Sequence, residues 1–127
     1  MTYRIAIGTL DGIAVTEHFG RCTLAALWDI DQETDETIAL GVRPLSPSSE
    51  NGCGGGHDPQ AVARKISALA DCHVVMMAKI GSQAEKQLIH SNIVPLQYEG
   101  SLDEAMRRVR RAYSRRVFSK PPNDFAS

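Results

Sequence analysis

The sequence predicts an α/β domain built on a mixed sheet, and three observations carry that prediction. The first half of the chain reads as short apolar, β-branched runs joined by tight turns. The second half alternates strand-length apolar runs with segments whose apolar residues recur at helical spacing. The length, 127 residues, suits one domain with a hydrophobic core of its own. Strands joined by short turns pair as an antiparallel meander. Strands separated by a helix need a right-handed crossover and lie parallel.

Residues Tyr3 to Thr9 are rich in β-branched side chains and read as the first strand. Asp11-Gly12 is a hairpin-type turn signal, and Ile13 to Val15 is a short extended piece. Cys22 to Ile30 is apolar on both alternating sets, with Leu24, Ala26, Leu27 and Trp28, as expected of a strand buried on both faces. After a polar turn at Asp31 to Glu36, Thr37 to Arg43 reads as the third strand of the meander. Pro44 to His57 is a loop with two prolines, three serines and four glycines.

Asp58-Pro59 then opens a helix, Asp as N-cap and Pro at the first helical position, with Val62, Ile66, Leu69 and Ala70 on its apolar face. His73 to Ala78 is a strand, and Gly81 to Ser91 a helix with Ala84, Leu88 and Ile89 inward. Ile93 to Tyr98 is the last strand. Ser101 to about Val117 is the last helix, opened by a Ser101–Glu104 capping box, with Leu102, Ala105, Met106, Val109, Ala112 and Tyr113 as its apolar stripe. The domain is expected to span residues 1–118, with 119–127 a frayed tail. The order predicts a five-stranded mixed sheet flanked by helices, of the ribonuclease H-like type. Ligands of such sheets collect at the carboxyl ends of the parallel strands.

Composition excludes several classes. No apolar run approaches the about 18 residues that span a bilayer, so no membrane partner is expected. Met1-Thr2-Tyr3-Arg4 runs straight into the first strand, from which we expect no signal peptide and a cytoplasmic location. Three cysteines, Cys22, Cys53 and Cys72, without a CxxC pair are neither a disulfide framework nor a closed four-cysteine zinc site. A P-loop, a dinucleotide fingerprint, a CxxxCxxC radical motif and a G-x-S-x-G elbow are absent from the sequence. Charge is lopsided: residues 1–106 carry seven basic against fourteen acidic residues, while residues 107–120 hold the other seven basic ones.

Two loops could carry chemistry. The first is Thr16-Glu17-His18-Phe19-Gly20-Arg21, in which Arg21 either clamps an anion or pairs with Asp29 or Glu17. The second holds Cys53 and His57, separated only by Gly54, Gly55 and Gly56. Glycine leaves no side chain to obstruct a bulky ligand. A thiolate with an imidazole suits iron, copper or zinc rather than magnesium. This loop also runs into a helix N-terminus, which favours an anion, and an iron–sulfur cluster is usually an anion. Cys22, Cys72, His73 and His90 read as structural or solvated. Asp11, Glu17, Asp29 and Asp31 are the carboxylates that a two-metal nuclease would need, but they form no convergent trio.

The sequence Glu17-His18-Phe19-Gly20-Arg21 after a first hairpin resembles the signature of the dinitrogenase iron–molybdenum cofactor biosynthesis (NifX-like) family. Cys53-Gly54-Gly55-Gly56-His57, Leu69-Ala70-Asp71-Cys72-His73-Val74-Val75 and Ala78-Lys79-Ile80-Gly81 follow in the family's order. So does Leu88 to Pro95, and the resemblance covers roughly residues 3 to 113. It is to the NifX-like domain at the C-terminal end of NifB, the carrier part of that larger protein. The resemblance implies a non-enzymatic carrier of the iron–molybdenum cofactor or its iron–sulfur precursor. His18, Cys53 and His57 would be metal ligands, and Arg21 and the glycine loop would hold the cluster's charge. Partners would be cofactor-synthesis scaffold proteins or the nitrogenase apo-protein, with no nucleic acid. One departure stands out: where NifB-type relatives often carry an acidic residue and a cysteine after Ile-Gly, this chain has Ser82-Gln83. The alternative reading is a metal-free interaction module docking through the basic stretch Arg107 to Arg116.

If the first strand lies centrally beside the strand that follows the first helix, and the 46–57 segment runs along that edge, the His18 loop and the Cys53–His57 loop reach one end of the sheet.

Overall fold

The computed structural model describes residues 2–45 and 59–113. The elements run β1 (Thr2–Ile7), β2 (Ala14–Val15), β3 (Leu24–Asp31), β4 (Thr37–Pro44), α1 (Pro59–Ala68), β5 (Val74–Met77), α2 (Ser82–His90), β6 (Val94–Gln97), β7 (Gly100–Ser101) and α3 (Leu102–Tyr113). Five strands form one mixed sheet in the order β4-β3-β1-β5-β6. β3 is antiparallel to both β1 and β4, while β5 is parallel to both β1 and β6. The meander, the parallel crossover strands and the central first strand all match the sequence-based expectation.

Side-chain alternation along β1 builds the two halves of the core. Tyr3, Ile5 and Ile7 turn to one face, where they meet Val74 and Met76 and the buried stripe Ala105, Met106, Val109 and Tyr113 of α3. Ala6 turns to the other face with Leu27, Val75 and Met77, under Val62 and Ile66 of α1 and Ala84 and Leu88 of α2. Burial of each large aliphatic side chain contributes about 1.5–3 kcal/mol, so either helix layer lost would leave half the core open.

Several expectations are corrected. β3 is not buried on both faces: its burial alternates, and Leu24 is 42% exposed. The α3 core is centred on β1 and β5, so the outer part of the β3 face is left partly open. Ile89 points to solvent rather than inward, because the buried stripe of α2 runs through Ala84 and Leu88. Ala70 lies beyond α1, whose end tightens as the amides of Leu69 and Ala70 bond to the carbonyls of Ile66 and Ser67. Half of the capping box is present. Ser101 Oγ accepts the Glu104 N–H at 3.1 Å, but the Glu104 carboxylate turns to Arg107 and Arg108. A second, two-stranded sheet joins β2 to β7, which the sequence reading missed. Gly100 stands there at φ +156, and a Cβ on it would sit 2.7 Å from the Tyr98 hydroxyl oxygen.

The amino end of β1 is fixed by charge. Arg4 is buried and makes a bidentate contact with Asp29 of β3, at 2.8 and 3.2 Å, and a third bond to Asp71 at 2.6 Å. Arg43 of β4 also grips Asp71, at 2.5 and 2.9 Å, and donates to the Ala68 carbonyl. Two arginines and two carboxylates thus tie β1, β3, β4 and the turn after α1 together. Burial pushes the Asp71 carboxyl up, but the bonds from Arg43 and Arg4 outweigh it and bring it to about 2. That is below its ordinary value of 3.8, so protonation opposes folding. We predict that Asp71→Asn lowers stability by about 2 kcal/mol at pH 7, the contribution of a carboxyl held near 2 rather than at 3.8. The gap between native and variant should close as pH falls from about 4 toward 2, which urea unfolding across that range would measure. A gap independent of pH would contradict the assignment.

Candidate functional site at the carboxyl edge of the parallel strands

The turn that carries His18 and Arg21 lies beyond the carboxyl ends of β1 and β5, where ligands of a parallel sheet collect. Gly8, directly after β1, receives the chain there. Its carbonyl accepts the amides of Thr16 and Glu17 at 3.2 and 3.3 Å, and its own N–H donates to Met76. A Cβ on Gly8 would stand 2.2 Å from Met77 Sδ and 2.9 Å from Glu17 Cβ, so the close approach of the two segments needs glycine. Next, the Ala78 N–H donates to Glu17 and the Phe19 N–H to Lys79, both at 2.9 Å. His18 and Lys79 form a parallel bridge, which extends the β1–β5 pairing outward by a rung.

Phe19 anchors the turn. Its ring is 1% exposed and packs in the core under α1 and α2, a burial whose loss on Phe→Ala truncation typically costs about 3–5 kcal/mol. The chain then folds back, with the Arg21 N–H donating to the His18 carbonyl at 3.0 Å and the Cys22 N–H to Phe19 at 3.4 Å. His18, Gly20, Arg21 and Lys79 are exposed, while Phe19 and Cys22 point inward. Lys65 of α1 is buried beneath, with Nζ donating to the Phe19 carbonyl at 2.9 Å and the Gly20 carbonyl at 2.8 Å. Burial pulls its ammonium below the usual lysine range. On the far side the Ile80 N–H donates to Gln97 Oε1 at 2.6 Å. That bond holds the start of α2, whose N-cap position Gly81 has no side-chain cap.

The structure therefore brings His18 and Arg21 together on one locked turn. Asp29 is taken by Arg4, and among the described residues Arg21 makes no ion pair. Cys53, Gly54, Gly55, Gly56 and His57 lie outside the described residues. Cys22 and Cys72 are buried, as the sequence predicts, and burial pushes the Cys22 thiol up. His73 is buried and its Nδ1 accepts the Arg4 N–H at 3.0 Å. The acidic cluster is absent in space too. Asp31 accepts the amides of Glu33 and Thr34 beside the start of β1, and Asp11 those of Ile13 and Ala14 in the turn beyond its end. Among the described residues no three His, Cys, Asp or Glu side chains stand close enough to hold a metal ion. Sequence reasoning missed Gly8, Lys65 and Gln97. Only Lys65 left a signal, a charge placed on the apolar stripe of Val62, Ile66 and Leu69.

The family model of the dinitrogenase iron-molybdenum cofactor matches residues 1–112. The chain belongs to this family. A curated relative, the FeMo cofactor biosynthesis protein NifB of Chlorobaculum tepidum, is 26% identical over 102 residues, which is 80% of this chain and 22% of that protein. The chain thus spans about a fifth of the relative's length. Among solved structures, PH0822 superposes with a TM-score of 0.60 at 19% identity, covering 86% of this chain and 91% of that one. A candidate dinitrogenase from Methanocaldococcus jannaschii gives 0.57 at 12% identity, covering 88% and 91%. At these identities the structural likeness shows a shared fold. Membership ties the chain to the iron–molybdenum cofactor of dinitrogenase.

The geometry yields a test. Gly8→Ala should lower stability by about 1–3 kcal/mol, since the new methyl must displace Met77 and Glu17 together. Its amide shifts should spread through Thr16 to Phe19 and spare the Arg4 network. Unchanged shifts in that turn would show that Gly8 does not fix it.

Proposed function

We propose that this domain binds an iron–molybdenum cofactor, or its iron–sulfur precursor, and carries it between the proteins that build and receive it, without catalysing a reaction of its own. The observation that carries this reading is His18: an exposed imidazole on a backbone-locked turn at the carboxyl edge of β1 and β5. The cluster is the cargo and brings its own sulfides, so a few protein contacts can hold it and still release it. An imidazole is a suitable ligand for such a metal. Arg21 beside it offers a guanidinium to the cluster's negative charge, and the uncapped start of α2 offers main-chain N–H groups near the same edge.

Cys53 and His57 are proposed as the remaining ligands, with the glycines between them as the cluster's access. The support is the placement of the flanking residues. Leu45 donates to the Thr23 carbonyl beside the start of β3, which lies level with the carboxyl end of β1. α1 runs back against β5, so Pro59 lies toward the same edge. The strand order and the antiparallel first three strands also support a ribonuclease H-like fold. Cofactor-synthesis scaffold proteins and the nitrogenase apo-protein, in the cytoplasm, are the proposed donors and acceptors. The interaction-module alternative gains less support. Arg107 and Arg108 of α3 are paired with Glu104, and the Arg108 guanidinium lies 4.8 Å from the Tyr98 ring centroid.

The test is anaerobic titration with isolated iron–molybdenum cofactor, read by visible absorption and metal analysis. His18→Ala and Cys53→Ala should each weaken binding at least tenfold. The double variant should lose little more than the worse single one, as expected for neighbours in one site. Arg21→Ala should weaken binding more than it lowers the melting temperature. Strictly additive losses would mean two separate sites, and full affinity in both single variants would sink the proposal.

A further inference from the structure

The described residues contain three buried side chains that ordinarily carry a full charge, Arg4, Asp29 and Lys65. Arg4 and Asp29 neutralise each other. Lys65 is 2% exposed, and among the described residues no carboxylate lies within ion-pair distance of its ammonium. Burying an ammonium without a counter-charge is costly. A methionine would fill the same stripe of α1 without that cost. Lysine is therefore poorly explained by packing, and what it does touch is the turn that carries His18.

Lysine has three N–H donors. Two are spent on the Phe19 and Gly20 carbonyls, and Nζ lies 5.9 Å from the Phe19 ring centroid. In a planar trans peptide the C=O and the following N–H point in opposite directions. Drawing the Phe19 carbonyl inward therefore turns the Gly20 N–H outward, and no acceptor among the described residues takes it. A Cβ on Gly20 would meet nothing within 4 Å, so this peptide faces open space beside His18 and Arg21.

We propose that Lys65 is the positioning residue of this edge: its ammonium locks the 18–21 turn onto α1, aims the Gly20 N–H outward, and supplies a fixed positive charge that selects polyanionic metal–sulfur cargo. The inference rests on the reading of the edge as a cargo site and deepens it by naming the charge class of the cargo and the group that sets it. Lys79 and Arg21 add exposed positive charge at the rim, and Glu17 is the acidic group on the same turn. Lys65 differs from these because it is buried and held by two bonds, so salt screens it less.

The experiment uses the full chain as native protein, Lys65→Met and Lys65→Arg. Amide exchange is first measured without ligand. Anaerobic binding of tetrathiomolybdate, a molybdenum–sulfur dianion, is then followed by its visible absorption. In Lys65→Met the amides of Phe19, Arg21 and Cys22 should exchange at least tenfold faster while those of Ile5, Ala6 and Val75 stay unchanged. Binding should weaken at least tenfold. Exchange unchanged in that turn, or binding within twofold of native, overturns the role of Lys65. Should Lys65→Met fail to fold, Lys65→Arg decides, because it keeps the charge but fits both carbonyls poorly. Faster exchange in the turn with binding weakened three- to tenfold supports the proposal, and no change in either overturns it. If the native chain binds neither tetrathiomolybdate nor isolated cofactor, the cargo reading itself fails, which is a different result from native binding that survives in Lys65→Met.

Discussion

Ile5, Ala6 and Ile7 pair in parallel with Val74, Val75 and Met76, and this alignment sets where the functional residues fall. Parallel strands end at the same edge. The connections that leave them, Gly8 to Cys22 after β1 and Ala78 to Gly81 after β5, therefore meet there, through the Ala78–Glu17 and Phe19–Lys79 hydrogen bonds and the His18–Lys79 bridge. Nothing comparable would follow from an antiparallel pair, whose exits lie at opposite ends. Parallel pairing in turn needs a crossover, which α1 supplies, and α1 brings Lys65 under the turn.

The two ends of the sheet hold charge in different ways. At the amino end, Arg4 and Arg43 face Asp29 and Asp71 in a network that is internally balanced. Such a network loses heavily if one member is removed, because the partner is left buried without its counter-charge. At the carboxyl end, Lys65, Arg21 and Lys79 are not balanced among the described residues, and a glycine stands at each narrow or open point. A surplus of positive charge on a rigid turn is a poor stabilising device and a good receptor for an anion. The difference in charge balance separates the structural end of this domain from the end proposed to bind.

The sequence made the meander, the three helices and the parallel crossovers legible because apolar periodicity marks the helices, while the continuously buried run of β1, covered on both faces, reads as a central strand. It also marked the His18 turn, through the family resemblance carried by Glu17-His18-Phe19-Gly20-Arg21. Ile89 reads as inward from sequence because an apolar residue one step round a helix looks like part of the stripe whether or not a neighbour covers it. β7 escaped because two residues, one of them Gly100, carry no alternation. Lys65 and Gly8 were hidden for a deeper reason. Their roles are contacts with residues 45 and 9 positions away, and a single sequence carries no trace of a long-range contact beyond the oddity of lysine on an apolar stripe. Cys53 and His57 rest on sequence pattern and on the placement of Leu45 and Pro59.

The central claim is that cargo binds at the carboxyl edge of β1 and β5 through the His18 turn. The most direct measurement is anaerobic titration of the isotopically labelled chain with isolated iron–molybdenum cofactor, followed residue by residue through its amide resonances. The account predicts broadening concentrated in Gly8, Glu17 to Cys22 and Lys79 to Gln83, with the amides of Arg4, Asp29 and Asp71 unmoved. Broadening centred on Arg107 to Arg111 of α3, or none at saturating cofactor, would contradict it.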